Sequence, residues 1–135
     1  MRIDYKNKKI IDKEIYIHDS TFYGFLYDND EKTLLLKLKN YYLHKIFKLK
    51  FVNILALNCE MCQFWSYANG ILGWETVDEE QLKNKILEKE KEKISEFKNY
   101  IETKFILETG DIITIVCEYV EFFEINWDDT IKNER

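Results

Sequence analysis

An α+β domain built on a twisted, mostly antiparallel sheet of about six or seven strands is what this sequence predicts. Three observations carry that expectation. Apolar side chains recur with a period of two in several runs, as in Leu34, Leu36, Leu38 and again in Phe47, Leu49, Phe51. One stretch of helical type, about residues 78–93, interrupts them. The connections are short and polar, which suits hairpins better than parallel crossovers. At 135 residues a single domain, 1–135, is expected.

Residues 9–17 read as a strand, because Ile10, Ile11, Ile15 and Ile17 are β-branched, although Asp12-Lys13-Glu14 interrupts them. His18-Asp19-Ser20-Thr21 reads as a turn in which Asp19 accepts backbone N–H groups. Phe22–Tyr27 is the next strand, with Gly24 marking a bulge or a close approach. Asp28-Asn29-Asp30-Glu31-Lys32 has hairpin length, and Thr33–Lys39 returns with its leucines on one face. Tyr42–Leu57 is the longest strand. Its end, Ile54-Leu55-Ala56-Leu57, is apolar on both faces and is expected to enter the interior. Asn69-Gly70 signals a tight turn.

The helix is expected to be capped by Thr76 or Asp78, with Leu82, Ile86 and Leu87 inward. From Glu88 to Lys93 acid and base alternate, so pair energies of a few tenths of a kcal/mol nearly cancel and the face is solvated. Ile101, Thr103, Phe105 and Leu107 alternate with Glu102, Lys104, Ile106 and Glu108, and Thr109-Gly110-Asp111 joins them to a last strand, Ile112–Phe123. A helix through 96–104 is the competing reading, and the boundary is placed near Tyr100. The tail from Asn126 is polar apart from Trp127 and Ile131.

Composition bounds the function. The net charge is −5 and the only arginines are Arg2 and Arg135, against the cationic surplus that nucleic-acid binding needs. No nucleic-acid partner is expected; the lysines of 6–13 and 45–50 read as solvent-facing positions on strands. No apolar run approaches the roughly 20 residues of a membrane span. The N-terminus has charge but no apolar core of a signal peptide. A cytoplasmic protein with reduced thiols is expected.

Cys59-Glu60-Met61-Cys62 is the motif that most suggests chemistry. A thioredoxin-like site wants a helix N-terminus after the pair and a cis-proline beside it, and this chain has no proline. A zinc site wants four ligands, and Cys117, His18 and His44 stand at no diagnostic spacing. The pair therefore reads as small apolar residues where a long strand turns into an aromatic core. His18-Asp19-Ser20 has the letters of a hydrolase triad, but neighbours on an extended chain point to opposite faces. Asp28–Thr33 begins like a calcium loop and then lacks its glycine and closing glutamate. No catalytic residue, metal or cofactor is assigned.

Residues 64–74 are dense in aromatics. Core packing is the first reading, at the junction of helix and sheet; a binding face is the other. His18, Asp19, Trp65, Tyr67 and Trp74 are the candidate binding residues.

His18-Asp19-Ser20, Gly24 on its strand and the strand Leu34–Leu38 together resemble the opening of small bacterial proteins grouped with immunity proteins of polymorphic toxin systems. The stretch from Cys62 through Phe64-Trp65 to Ile71-Leu72-Gly73-Trp74, and Gly110-Asp111 between the last strands, is similar to a related set from low-GC Gram-positive bacteria. The resemblance implies an α+β domain without enzymatic residues. It makes only the Cys62 position of the cysteine pair usual.

The first functional expectation is a non-enzymatic, immunity-like domain that binds a partner protein through an acidic or aromatic surface. The alternative is a small-ligand-binding or enzymatic domain with a cleft near His18, Asp19, Trp65 and Trp74. A homodimer through unpaired edge strands is the third.

Overall fold

The computed structural model describes residues 1–60 and 70–127. In chain order these form β1 (Arg2–Ile3), α1 (Ile10–Lys13), β2 (Thr21–Asp28), β3 (Thr33–Asn40), β4 (Lys45–Glu60) and β5 (Ile71–Thr76). Then come α2 (Gln81–Lys89), a 3-10 turn (Lys91–Lys93), α3 (Ile94–Phe97), β6 (Ile101–Leu107) and β7 (Ile112–Asn126). The seven strands make one antiparallel sheet, ordered β2-β3-β4-β7-β6-β5, with β1 also against β7. The expected α+β class and strand count hold.

Strand pairing follows the alternation in the sequence. Leu34, Leu36 and Leu38 of β3 lie opposite Phe51, Leu49 and Phe47 of β4, and all six are buried. Paired residues share a face, so one register places every apolar member inward. The sheet curls around this inner face. Phe22 of β2 meets Phe105 of β6 edge-on at 5.7 Å although those strands are not neighbours. Phe105 also stacks on Trp74 at 5.4 Å and meets Phe51 edge-on at 6.1 Å. Phenylalanine and tryptophan thus fill the concave side where smaller residues would leave voids.

The two outermost strands meet at one end. Thr21 bridges Gly70, Asp19 N–H donates to Ile71 C=O at 2.9 Å, and Ile71 N–H donates to Ser20 C=O at 2.8 Å. A Cβ at position 70 would meet only the carboxyl end of Glu108, an exposed side chain that can swing aside. The β6–β7 turn uses Gly110 at φ +88°, as expected of a left-handed turn residue.

Four expectations need correction. Residues 9–17 are not a strand: Ile10–Lys13 form one helical turn that places Ile11 and Ile17 in the core. Asp12 ties this turn to β5 by accepting from Thr76 N–H at 2.9 Å and Thr76 Oγ1–H at 2.6 Å.

The main helix is shorter than 78–93. Its first turn starts at Gln81, after Glu80 in the left-handed region at φ 46°, and Glu90 ends it. The cap is neither Thr76 nor Asp78. Glu102 on β6, 4% exposed, accepts from Lys83 N–H at 2.7 Å and Leu82 N–H at 3.4 Å. A carboxylate at a helix N-terminus satisfies orphan donors and complements the dipole. Lys83, rather than a leucine, is the helix's buried residue. Its ammonium donates to the carbonyls of Lys98 and Tyr100, each at 3.1 Å, and pairs with Glu80.

Trp74 is not at the junction of helix and sheet. Glu102 alternates with the inward Ile101 and Thr103, so α2 lies on the outer face, while Trp74 stacks on Phe105 inside the curl.

The far end of β4 enters the interior only in part. Asn53 takes φ 54° and the register shifts between Ile54 and Ala56. Beyond this bulge Ile54–Leu57 are half-buried and Asn58, Cys59 and Glu60 are exposed. Ile54 and Leu57 still pack against the core, and Cys59, opposite Ile113 in register, is exposed near the strand's end.

Candidate functional site

Of the five sequence-predicted binding residues, Trp65 and Tyr67 lie outside the described residues, as does Cys62. The other three do not come together in one cleft. Trp74 is 6% exposed, in the core. His18 and Asp19 stand at the seam where β2 meets β5, with His18 Nδ1 3.0 Å from Asp19 Oδ2. Asp19 sits at φ 67°, which lets its carboxyl fold back onto the neighbouring imidazole rather than onto backbone N–H groups. Both are half-exposed. Ser20 is fully buried and its Oγ accepts from Asn40 Nδ2 at 3.1 Å, so the third letter of the apparent triad is a structural tie. Asn40 also donates to His18 C=O at 3.1 Å and accepts from Leu43 N–H at 2.9 Å, which holds the seam to the β3–β4 turn.

A second feature is a cleft of about 500 Å³ at the β4 bulge, where Lys32, Asn53, Glu96, Phe97, Tyr100 and Glu118 converge. Lys32 and Asn53 both have φ 54°, and Ile54 N–H donates to Lys32 C=O at 2.9 Å. Asn53 Nδ2 donates to Glu118 Oε2 at 2.9 Å. Burial raises the Tyr100 phenol above its ordinary pKa, and the charges of Glu118 and Glu96 push the same way. The unfolded chain ionises Tyr100 near 10.0 while the folded chain holds its proton longer. Stability is therefore expected to fall as pH rises through that value, and Tyr100→Phe to flatten this limb in pH-dependent urea melts.

Cys117 is fully buried at the β7 bend, its Sγ 3.5 Å from Tyr119 C=O. Burial pushes its thiol far above the range of a reactive cysteine, outweighing a backbone hydrogen bond from Val52. Alkylation followed by peptide mass spectrometry is expected to leave Cys117 unmodified in the native protein and to label it in denaturant.

The third feature is the outer face of β3, β4 and β7, of which the sequence predicts only that the lysines of 45–50 face solvent. Registry places Lys37 directly opposite Lys48, and Lys48 opposite Phe123. Lys50 lies opposite Leu35 and Glu121, and Lys39 opposite Ile46. Phe123 is 46% exposed. Lys39 Nζ lies 4.5 Å from the Tyr23 ring centroid and 5.3 Å from that of Trp127, and Trp127 meets Tyr41 at 5.0 Å. At the other end the Arg2 guanidinium covers Tyr119 at 3.8 Å. The signal was present in the alternation Lys37, Lys39 and Lys48, Lys50. Their union needed the strand register.

The chain is thus an α+β domain, a curled antiparallel sheet with a helix on its outer face. No protein-family description matches the chain, and no curated protein matches it. Among solved structures it is similar to an uncharacterized protein from Neisseria gonorrhoeae, at 18% identity over 90% of this chain and 96% of that one, with a TM-score of 0.51. That likeness is one of fold alone. Among the described residues no group of three or more His, Cys, Asp or Glu is placed to hold a metal ion, and no helix is long and apolar enough to cross a membrane.

Proposed function

We propose that this chain is a non-enzymatic protein-interaction domain, immunity-like in kind. The observation that carries the reading is the outer sheet face, where the exposed ring of Phe123 stands among Lys37, Lys48 and Lys50 on three paired strands. Aromatic anchors on rigid elements are what protein-binding surfaces use, because few rotamers are lost on docking. The resemblance of His18-Asp19-Ser20 and of the Leu34–Leu38 strand to immunity-type proteins supports the same reading. The docking surface is then aromatic and basic rather than acidic, although the chain as a whole carries −5.

Affinity capture with the proteins encoded beside this one is expected to return a stoichiometric complex that Phe123→Ala weakens. A chain that captures none of them under native conditions overturns the reading. Light scattering on the isolated chain separates this from self-association, for which a concentration-dependent dimer is the signature.

A small-ligand reading rests on the cleft at the β4 bulge, where a phenol, two carboxylates, an amide and an ammonium converge beside Phe97. Saturable chemical-shift changes at Tyr100 and Asn53 with a small polar ligand would favour it.

A further inference from the structure

We infer that the outer face of β3, β4 and β7 docks its partner protein through clustered aspartate and glutamate side chains on that partner. The inference rests on the interaction reading and names the chemistry of the surface that is recognised.

Among the described residues five lysines off this face pair with carboxylates, while Lys6, Lys13, Lys85, Lys89 and Lys91 do not, so what sets the outer face apart is the clustering of its lysines. Lys8 and Lys83 pair with Glu80, Lys9 with Asp78, Lys45 with Glu124 and Lys104 with Glu75. Among the described residues, Lys37, Lys39, Lys48 and Lys50 form no ion pair. Two of them, Lys37 and Lys48, sit directly opposite on adjacent strands, an arrangement that destabilises a sheet. Glu121 is the one carboxylate that shares this face with the four lysines in register, and Arg2 lies opposite it. The stems of Lys37, Lys39 and Lys48 are half-buried along the sheet, which holds their ammonium groups up from it. In a chain of net charge −5 this local cationic surplus is an uncompensated field.

The occupant is an anion, and the face selects a localised one. A nucleic-acid strand would run past four lysines onto a chain that repels it. Its bidentate contacts favour arginine, and Arg2 is spent over Tyr119. A protein patch of Asp and Glu meets four lysines and stops. The Phe123 ring supplies the apolar centre that charge pairs at a rim do not.

The test uses the whole chain and a fluorescein-labelled Glu-rich peptide, read by anisotropy at about 0.05 M and 0.5 M salt. Saturable binding is expected at low salt and its loss at high salt. Lys37→Glu/Lys39→Glu is expected to weaken it about tenfold or more. Lys85→Glu/Lys91→Glu, with the same change of net charge at exposed positions off this face, is expected to leave it within about twofold. Lys37→Glu alone is expected to melt no lower than the parent, since it turns a like-charge pair into an opposite one. If that variant misfolds, Lys39→Glu alone carries the test.

Equal loss in both double variants overturns the inference, as does tighter binding of a poly-dT oligonucleotide than of the peptide, or no binding of the peptide. A neighbouring protein captured equally well by Lys37→Glu/Lys39→Glu overturns the lysine face and leaves the interaction reading intact. Capture of nothing by the parent overturns the interaction reading, while the peptide measurement still decides the face.

Discussion

Phe105→Ala is expected to destabilise the fold by about 4 kcal/mol, which at this chain length is a fall of about 14 °C in Tm. Phe105 has no exposed surface and touches three other rings: Phe22, Phe51 and Trp74. Trp74 is its register partner on β5, while Phe22 and Phe51 come from β2 and β4, which β6 does not pair with, so one side chain joins its strand to two that its own backbone ladder does not reach. Truncation removes the buried area and leaves a cavity whose walls are held by backbone pairing and cannot collapse. Trp74 offers the internal contrast. Its Nε1 is buried without a hydrogen-bond partner among the described residues. Trp74→Phe therefore trades lost ring area against removal of an unsatisfied donor, and is expected to cost less than about 1.5 kcal/mol. Urea melts of both variants check the pair. A Phe105→Ala cost below that of Trp74→Phe would mean that the ring cluster does not hold the sheet together.

Glu102→Ala is expected to cost about 3 kcal/mol, or about 10 °C in Tm. The substitution deletes both acceptors at the start of α2 and leaves the Lys83 N–H buried without its 2.7 Å partner. The first helical turn then frays. Because Lys83 ties the same turn to the carbonyls of Lys98 and Tyr100, the loss spreads to the 98–100 segment. Glu102→Gln keeps one acceptor and is expected to recover about half of the loss. Amide hydrogen exchange is the discriminating readout: Glu102→Ala accelerates exchange at Leu82 and Lys83 more than in β3 or β4. Uniform acceleration across the sheet would show that Glu102 acts on global stability and not as a cap.

Much of the fold was legible in the sequence because sheet alternation is a local signal. Leu34, Leu36, Leu38 and Phe47, Leu49, Phe51 each declare one buried face within a few residues, and the register that pairs them satisfies both. The polar connection at 28–32 was legible for the same reason. Asp28 Oδ1 accepts from Asp30 and Glu31 N–H at 3.0 and 3.1 Å, a turn made by its own residues. Gly110 announced its turn by being glycine.

The misreadings share a physical cause. Residues 9–17 carry β-branched side chains, and propensity favoured a strand. The tertiary tie from Asp12 to Thr76 favoured one helical turn. The start of α2 looked like a local capping box and is set by a carboxylate about twenty residues downstream. The candidate site was the least legible. His18 and Asp19 were found and do pair, yet Trp74 belongs to the core on the far side of the sheet from α2. Of the face that carries the functional proposal, the sequence shows only solvent-facing lysines within 45–50.

An antiparallel α+β domain, the alternating faces of β3, β4 and β6, and the turns at 28–32 and 109–111 are legible in the chain alone. Each follows from residues close together in the chain. Where the helix begins, which face it covers, the contact of the outermost strands at Thr21 and Gly70, and the gathering of Lys37, Lys39, Lys48 and Lys50 around Phe123 emerge in the folded chain. Those features depend on register and on the curl of the sheet. Both arise from the sum of many weak contacts between distant segments, and no single stretch of sequence encodes such a sum.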